Sequence, residues 1–130
     1  MIQIQHLSKV FKLNKKQQKE LKTKETTKKA VDNLSLTVND GEIFGLLGTN
    51  GAGKTTTLRC MATLLKPTEG QITVNGADTV KDSEKVRRTI GFLTNEIKMD
   101  PQFSADYMFS FFGRLREMTE EQISRRREEL

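Results

Sequence analysis

EIFGLLGTNGAGKTTTLRCMATLL, residues 42–65, is the stretch on which the fold turns. Gly48-Thr49-Asn50-Gly51-Ala52-Gly53-Lys54-Thr55 fits G-x-x-x-x-G-K-[ST] at every fixed position. The flanks match what the motif needs. EIFGLL before it is a near-continuous apolar run, as in a strand buried on both faces of a parallel sheet. KTTTLRCMATLL after it places Leu58, Met61, Ala62 and Leu65 at i, i+3, i+4 and i+7, which predicts a helix with one apolar face. A loop leaving a buried strand and opening a helix can turn its backbone N–H groups inward around phosphate oxygens. The glycines remove the Cβ atoms that would obstruct that approach, and the helix N-terminus adds partial positive charge. Lys54 then reaches the β and γ phosphates as a point charge, and the Thr55 hydroxyl is placed for Mg²⁺. The competing reading is a glycine-rich strand-to-helix turn with an incidental lysine.

Outward from this loop the chain alternates short strand and helix patterns. IQIQ at 2–5 reads as a strand, and AVDNLSLTV as a second, with Val31, Leu34, Leu36 and Val38 carrying its apolar pattern. Asn39-Asp40-Gly41 closes the second strand with turn chemistry. Pro67 and Gly70 end the helix after the loop. QITVNG is a strand running into an Asn75-Gly76 turn, DSEKVRRTI a short helix capped near Asp82 or Ser83, and IGFL at 90–93 another buried strand. Beyond Pro101 the pattern is helical through SADYMFSFFGRLREM, and Thr119 to Gln122 has the form of a capping box opening a further helix. RRREEL closes the chain without a helix stop signal, so the sequence is expected to be part of a longer one.

Composition bounds the rest. One hundred and thirty residues allow one domain of ordinary size, and 33 Leu, Ile, Val and Phe are enough for a packed core. No apolar run approaches the ~18 to 20 residues that cross a bilayer, so a soluble, cytosolic chain is expected. Cys60 is the sole cysteine, which leaves no intrachain disulfide and no multi-cysteine metal cluster. The net charge of +5 is uneven: residues 12–29 hold eight Lys against Glu20 and Glu25, a local balance of +6, and the other 112 residues sum to −1. No aromatic residue interleaves these lysines, so base stacking is not offered there. The segment is expected to be a solvated, mobile insertion between two strands, dispensable for nucleotide binding; contact with anionic lipid or nucleic acid is the alternative.

LLGTNGAGKTTTLRCMATLLKPTEGQITVNG resembles the phosphate-loop block of ATP-binding-cassette (ABC) ATPases, in which Asn-Gly-Ala-Gly-Lys-Thr-Thr, a helix and a Pro-Thr-x-Gly turn recur. Within that family TTTLR followed by ATLLKPTEG is most similar to ATP-binding subunits of sodium-efflux and drug-resistance exporters. The resemblance runs from Met1 to about residue 118, the basic insertion aside. It implies an α/β P-loop NTPase: an ABC-type ATP-binding core with an antiparallel β subdomain, truncated at the start of the helical subdomain, which would occupy 101–130. Domain 1–130 is thus a partial cassette with a 12–29 insertion.

The resemblance also implies a site. ATP and Mg²⁺ would be held by Gly48, Thr49, Asn50, Gly51, Ala52, Gly53, Lys54, Thr55 and Thr56. An aromatic residue after the first strand stacks on adenine in the family, and Phe11 in LSKVF occupies that place, with Val31 as its apolar neighbour; a core aromatic packed on the sheet is the other reading of Phe11. The family places a Gln that touches Mg²⁺ after a strand of the form IGFLPQ. Here IGFLTN puts Asn95 at that position, one methylene short, with Glu96 beside it, or else the loop is polar without metal contact.

The family's signature loop, its second nucleotide motif ending in Asp-Glu and its late switch His match nothing in these residues; His6, the one histidine, lies in the first strand region. In full-length form the implied protein is a peripheral cytoplasmic ATPase on the inner face of the membrane, paired with a membrane-spanning permease and a second ATP-binding subunit, with no nucleic acid as partner. Two alternatives stand beside it: a soluble ABC ATPase acting on ribosomes or nucleic acid, and a nucleotide-binding fragment without activity. The 130 residues alone are expected to bind ATP without hydrolysing it.

Overall fold

The computed structural model describes residues 1–94 and 101–129 and divides the chain into two compact units, Met1–Gly91 and Phe92–Leu130. The first is built on a four-stranded antiparallel sheet of order β2-β1-β3-β4, with β1 Ile2–Lys12, β2 Thr27–Val38, β3 Glu69–Val74 and β4 Ala77–Asp78. Helices α1 Lys15–Glu20, α2 Lys54–Met61 and α3 Ser83–Thr89 complete it. The second unit holds α4 Ala105–Leu115 and α5 Glu120–Glu129.

The apolar pattern of β1 changes phase along its length, and a bulge absorbs the change. Ile2 and Ile4 alternate with Gln3 and Gln5, whereas the fully buried Leu7 falls on the opposite parity. An unbroken strand would turn one of these sets away from the core. Register shifts lie between Ile4 and Leu7 against β2 and between Gln5 and Ser8 against β3, with His6 at φ 51 between them. The bulge is fastened by its polar groups: the His6 N–H donates to Ser35 Oγ at 2.9 Å, and the Asn33 N–H to Ser8 Oγ at 3.0 Å. His6, placed by the sequence in the first strand region, is thus the bulge residue, its Nδ1 2.9 Å from Asn33 Oδ1. Gly70 faces it, where a Cβ would meet the His6 carbonyl oxygen at 2.3 Å. The core so formed joins Ile4, Leu7, Val31, Cys60 and Ile72, with Leu34, Leu36, Met61 and Leu65 packed around it.

Several expectations hold. The Asn75-Gly76 turn has both residues at positive φ, 49 and 75, the type I′ geometry that joins β3 to β4. Asp82 is the N-cap position of α3, Ser104 caps α4 by accepting from the Tyr107 N–H, and Thr119 and Gln122 exchange both bonds of a capping box.

Others are corrected. EIFGLL, expected as a strand inside a parallel sheet, is irregular, with Leu47 93% exposed and Phe44 half exposed. IGFL is likewise no strand, and Leu93 is 82% exposed. An apolar run reports what a segment gains by burial, but a strand also needs a ladder partner. Among the described residues all three ladders are antiparallel and none includes 42–47 or 90–93. Helix α2 stops at Met61, short of the expected Leu65, and turns Thr57 and Cys60 into the core while Leu58 stays 43% exposed. Residues 12–29 are not a loop throughout. The two strands pair out to Lys12 and Thr27, the Leu13 N–H donates to the Thr26 carbonyl at 2.8 Å, and α1 carries an Asn14–Gln17 capping box.

One acidic residue organises the entry to α3. The Asp78 carboxylate accepts from the N–H groups of Val80 at 2.8 Å and Lys81 at 3.0 Å, and from Gln71 Nε2 at 2.7 Å. The Lys81 backbone N–H foremost, aided by the Val80 N–H, Gln71 and the charge of Lys81, holds its pKa below the ordinary Asp value, against an opposing effect of burial second only to the Lys81 bond. Because the folded state lowers this pKa, the stabilisation is complete above the unfolded value of about 3.9 and is lost as pH falls through the native one. Thermal melts across that acid range should therefore fall more steeply for the parent chain than for Asp78→Asn; parallel pH curves for the two would show that the carboxylate charge contributes nothing.

Candidate functional site

The loop expected to hold phosphate is built around its own lysine. Lys54 Nζ donates to the carbonyl oxygens of Gly48 at 2.5 Å and Thr49 at 2.8 Å, so the side chain folds back along the loop and places its charge among residues 48–54. The Ala52 N–H closes a turn on the Thr49 carbonyl at 3.2 Å. Gly51 and Gly53 both sit at positive φ, 86 and 87, and Gly53 is the N-cap position of α2. The first helical bond in α2 runs from the Thr57 N–H to the Gly53 carbonyl at 2.8 Å, which leaves the N–H groups of Lys54, Thr55 and Thr56 ahead of the ladder, as at any helix start. Such unpaired donors, the partial charge of the helix end and a neighbouring ammonium make a site for an anion of high charge density.

Gly53 ties this loop to the sheet. A Cβ there would lie 2.3 Å from the Ala30 carbonyl oxygen and 3.1 Å from Val31 Cγ2, so the loop rests on β2 at a distance only glycine allows. Below it Thr57 and Cys60 lie in the core. Burial pushes the Cys60 thiol pKa up, with Lys9 acting weakly the other way, so this sulfur is a packing group rather than a thiolate.

A cleft of about 280 Å³ opens beside the loop, lined by Phe11, Lys28, Ala30 and residues 50–56. Phe11 is therefore brought beside the glycine-rich loop. Lys9 Nζ stands 5.2 Å from the Phe11 ring centroid, yet Lys9 is outside the lining and is held on the Lys66 carbonyl at 2.7 Å. Asn50, Gly51, Ala52, Gly53, Lys54, Thr55 and Thr56 line the cleft, while Gly48 and Thr49 contribute the carbonyls that hold Lys54. Thr55 is exposed in the first turn of α2, where its hydroxyl is accessible to a metal bound to phosphate. Val31 is 8% exposed, belongs to the core under the loop and lines an adjoining cavity with Gly51, Ala52 and Lys54, while Ala30 lines the cleft beside Phe11. Asn95 and Glu96 lie outside the described residues. Lys28 and Ala30 are the lining residues that sequence reasoning missed. The Thr26-Thr27 pair, whose β-branched side chains favour strands, was the available signal that β2 begins before Ala30.

A family model described as ABC transporter matches residues 31–129. The chain belongs to the ABC transporter family. The ABC transporter ATP-binding protein NatA of Bacillus subtilis (strain 168) is 46% identical over 103 residues, covering 78% of this chain and 42% of that protein. The daunorubicin resistance ATP-binding protein DrrA3 of Streptomyces coeruleorubidus is 41% identical over 103 residues, covering 79% of this chain and 33% of the relative. The chain thus spans less than half the length of these relatives. Among solved structures, the dimeric structure of a bacterial ABC transporter cassette aligns with TM-score 0.74 at 25% identity, over 97% of this chain and 53% of that one. These matches support an ABC-type P-loop NTPase fold, the class expected from the sequence, and the antiparallel subdomain is present in it. Among the described residues no helix is long and apolar enough to cross a membrane.

Gly53→Ala should cost about 2 to 4 kcal/mol of stability, from left-handed backbone and a clash with the β2 carbonyl. Gly45→Ala is the control, since its Cβ meets nothing within 4 Å. Thermal melts of the two variants check this, and equal midpoints would mean that the loop does not rest on β2.

Proposed function

We propose that this chain is the ATP-binding part of an ABC transporter's ATPase subunit, with MgATP held between Phe11 and the loop of residues 48–56. The single observation that carries the reading is the cleft in which an aromatic ring and the glycine-rich loop with its lysine converge. The family supplies the general statement that such cassettes bind and hydrolyse ATP with Mg²⁺. The residues present fit that ligand. A triphosphate can take Lys54 away from two neutral carbonyls in exchange for charged oxygens, a stronger class of hydrogen bond. The α2 N–H groups receive further phosphate oxygens, and the Phe11 ring offers its face to the base. Mg²⁺ would be held through the Thr55 hydroxyl together with phosphate oxygens and water, in keeping with its preference for few protein ligands, and would neutralise charge on the β and γ phosphates. The place of Asn95 in that shell remains part of the proposal.

An export direction and the partners are part of the same proposal, supported by the names of similar proteins. Similar proteins include ones named for daunorubicin resistance, bacitracin transport and Nod factor export, which favours an exporter that works with a membrane-spanning permease and a second ATP-binding subunit at the cytoplasmic face of the membrane. Conversion of Lys54 to Ala should abolish ATP binding while leaving the melt within a few degrees. Titration of a fluorescent ATP analogue against both proteins checks this, and equal affinity would remove Lys54 from the site.

Binding without turnover is the second part of the proposal. Among the described residues the cleft lining contains no carboxylate or imidazole to polarise an attacking water, and loss of such a base typically costs ~10² to 10⁴ in rate. Phosphate release at saturating MgATP should therefore stay at the level of the Lys54→Ala control. Turnover that depends on Lys54 would mean that a base outside this lining, Glu96 being the nearest in sequence to the expected metal position, serves the site.

A further inference from the structure

The basic segment that the sequence sets apart as an insertion contributes a residue to the cleft. Lys28 stands directly opposite Phe11 in the β1–β2 ladder, and cross-strand partners put their side chains on the same face of a sheet. Both line the cleft with residues 50–56. Among the described residues the Lys28 ammonium has no hydrogen-bond or ion-pair partner, unlike that of its neighbour Lys29, which pairs with Asp32 at 3.0 Å, and that of Lys9, which is bound to the Lys66 carbonyl. An uncommitted ammonium in a cleft whose other cation is Lys54 calls for an anionic ligand that reaches both.

The geometry points to Lys28 as a second cationic contact for the nucleotide, serving its α-phosphate. The inference rests on the reading of the cleft as a nucleoside-triphosphate site. If the base lies on Phe11 and the β and γ phosphates lie at Lys54 and the start of α2, the ribose and α-phosphate span the gap between them. Lys28, cross-strand from Phe11, borders that gap. A flexible lysine with a compact charge suits a phosphate oxygen better than a ribose hydroxyl. The β1–β2 hairpin is then more than a separable insertion. Its ladder sets which lysine faces the ligand, whereas the tip from Asn14 to Glu25 adds lysines outside the cleft lining.

Isothermal titration of unmodified ATP and ADP into the 130-residue chain tests the assignment, with Lys28→Ala, Lys28→Arg, Lys24→Ala and Lys54→Ala run alongside. Lys28→Ala should weaken ATP and ADP by the same factor, about threefold to fivefold, the scale of one solvent-accessible ion pair. Lys28→Arg and Lys24→Ala should stay within a factor of about two of the parent chain. Unchanged affinity in Lys28→Ala with binding lost in Lys54→Ala would overturn this inference and leave the phosphate loop intact as a site. An equal loss in Lys24→Ala would reduce the effect to bulk charge and overturn it too. Weakening of ATP alone would assign Lys28 to the γ-phosphate and overturn the α assignment. Full binding by Lys54→Ala would bring down the reading of the cleft itself, and the role of Lys28 with it.

Discussion

Everything the cleft can do depends on how closely the phosphate loop approaches strand β2. At Gly53 the space between loop and sheet is narrower than a methyl group, since a Cβ would lie within 2.3 Å of the Ala30 carbonyl. That approach fixes where α2 begins, and the start of α2 fixes where its free N–H groups and the Lys54 side chain are presented. It also decides which helix face turns inward: Thr57 and Cys60, rather than the larger Leu58, follow from a helix entering from this point. A loop standing off by one more carbon would lose both the packing of α2 on the sheet and the juxtaposition with Phe11, which belongs to the neighbouring strand.

The two sides of the cleft are held by different means. The loop is self-supporting, its lysine satisfied by two of its own carbonyls and its turn closed between Thr49 and Ala52. The opposite wall is a product of strand register, and its residues come from positions 11, 28 and 30, distant in sequence. In the proposed mode, binding at the first wall would exchange one set of hydrogen bonds for another, while the second wall would offer a ring and an ammonium already on one face. Such an arrangement keeps the ordering cost of ligand binding low, because few side chains have to be immobilised anew.

The same division explains what could be read from the sequence. The loop was legible because its chemistry is local: spacing within eight residues dictates the turn, the glycines and the lysine, and the structure places them as expected. The Asn75-Gly76 turn and the Thr119–Gln122 capping box were legible for that reason as well. EIFGLL was misread because its apolar character describes a demand for burial and says nothing of whether a neighbouring strand is present to meet it. Of the stripe read from helical spacing, Met61, Ala62 and Leu65 do pack in or on the core, whereas Leu58 stays 43% exposed and Thr57 and Cys60 take the buried positions of the first turns. Lys28 was hidden in a run of lysines, where composition argues for solvent and only pairing with Phe11 separates one ammonium from the other seven.

The hairpin that carries Lys28 has a consequence for how this region tolerates change. Its pairing continues to Lys12 and Thr27, and beyond them a short capped helix turns the chain around. Lengthening or shortening the turn between those two residues leaves the wall of the cleft untouched, so the tip is free to drift in length and charge. Within the paired strands the rule is one of parity. A single-residue insertion or deletion beside Phe11 would exchange the two faces of the strand and carry its ring away from Lys28, unless a second bulge like the one at His6 restored the count. Length variation among relatives should therefore gather at the tip, with odd changes inside the ladder accompanied by a compensating irregularity nearby.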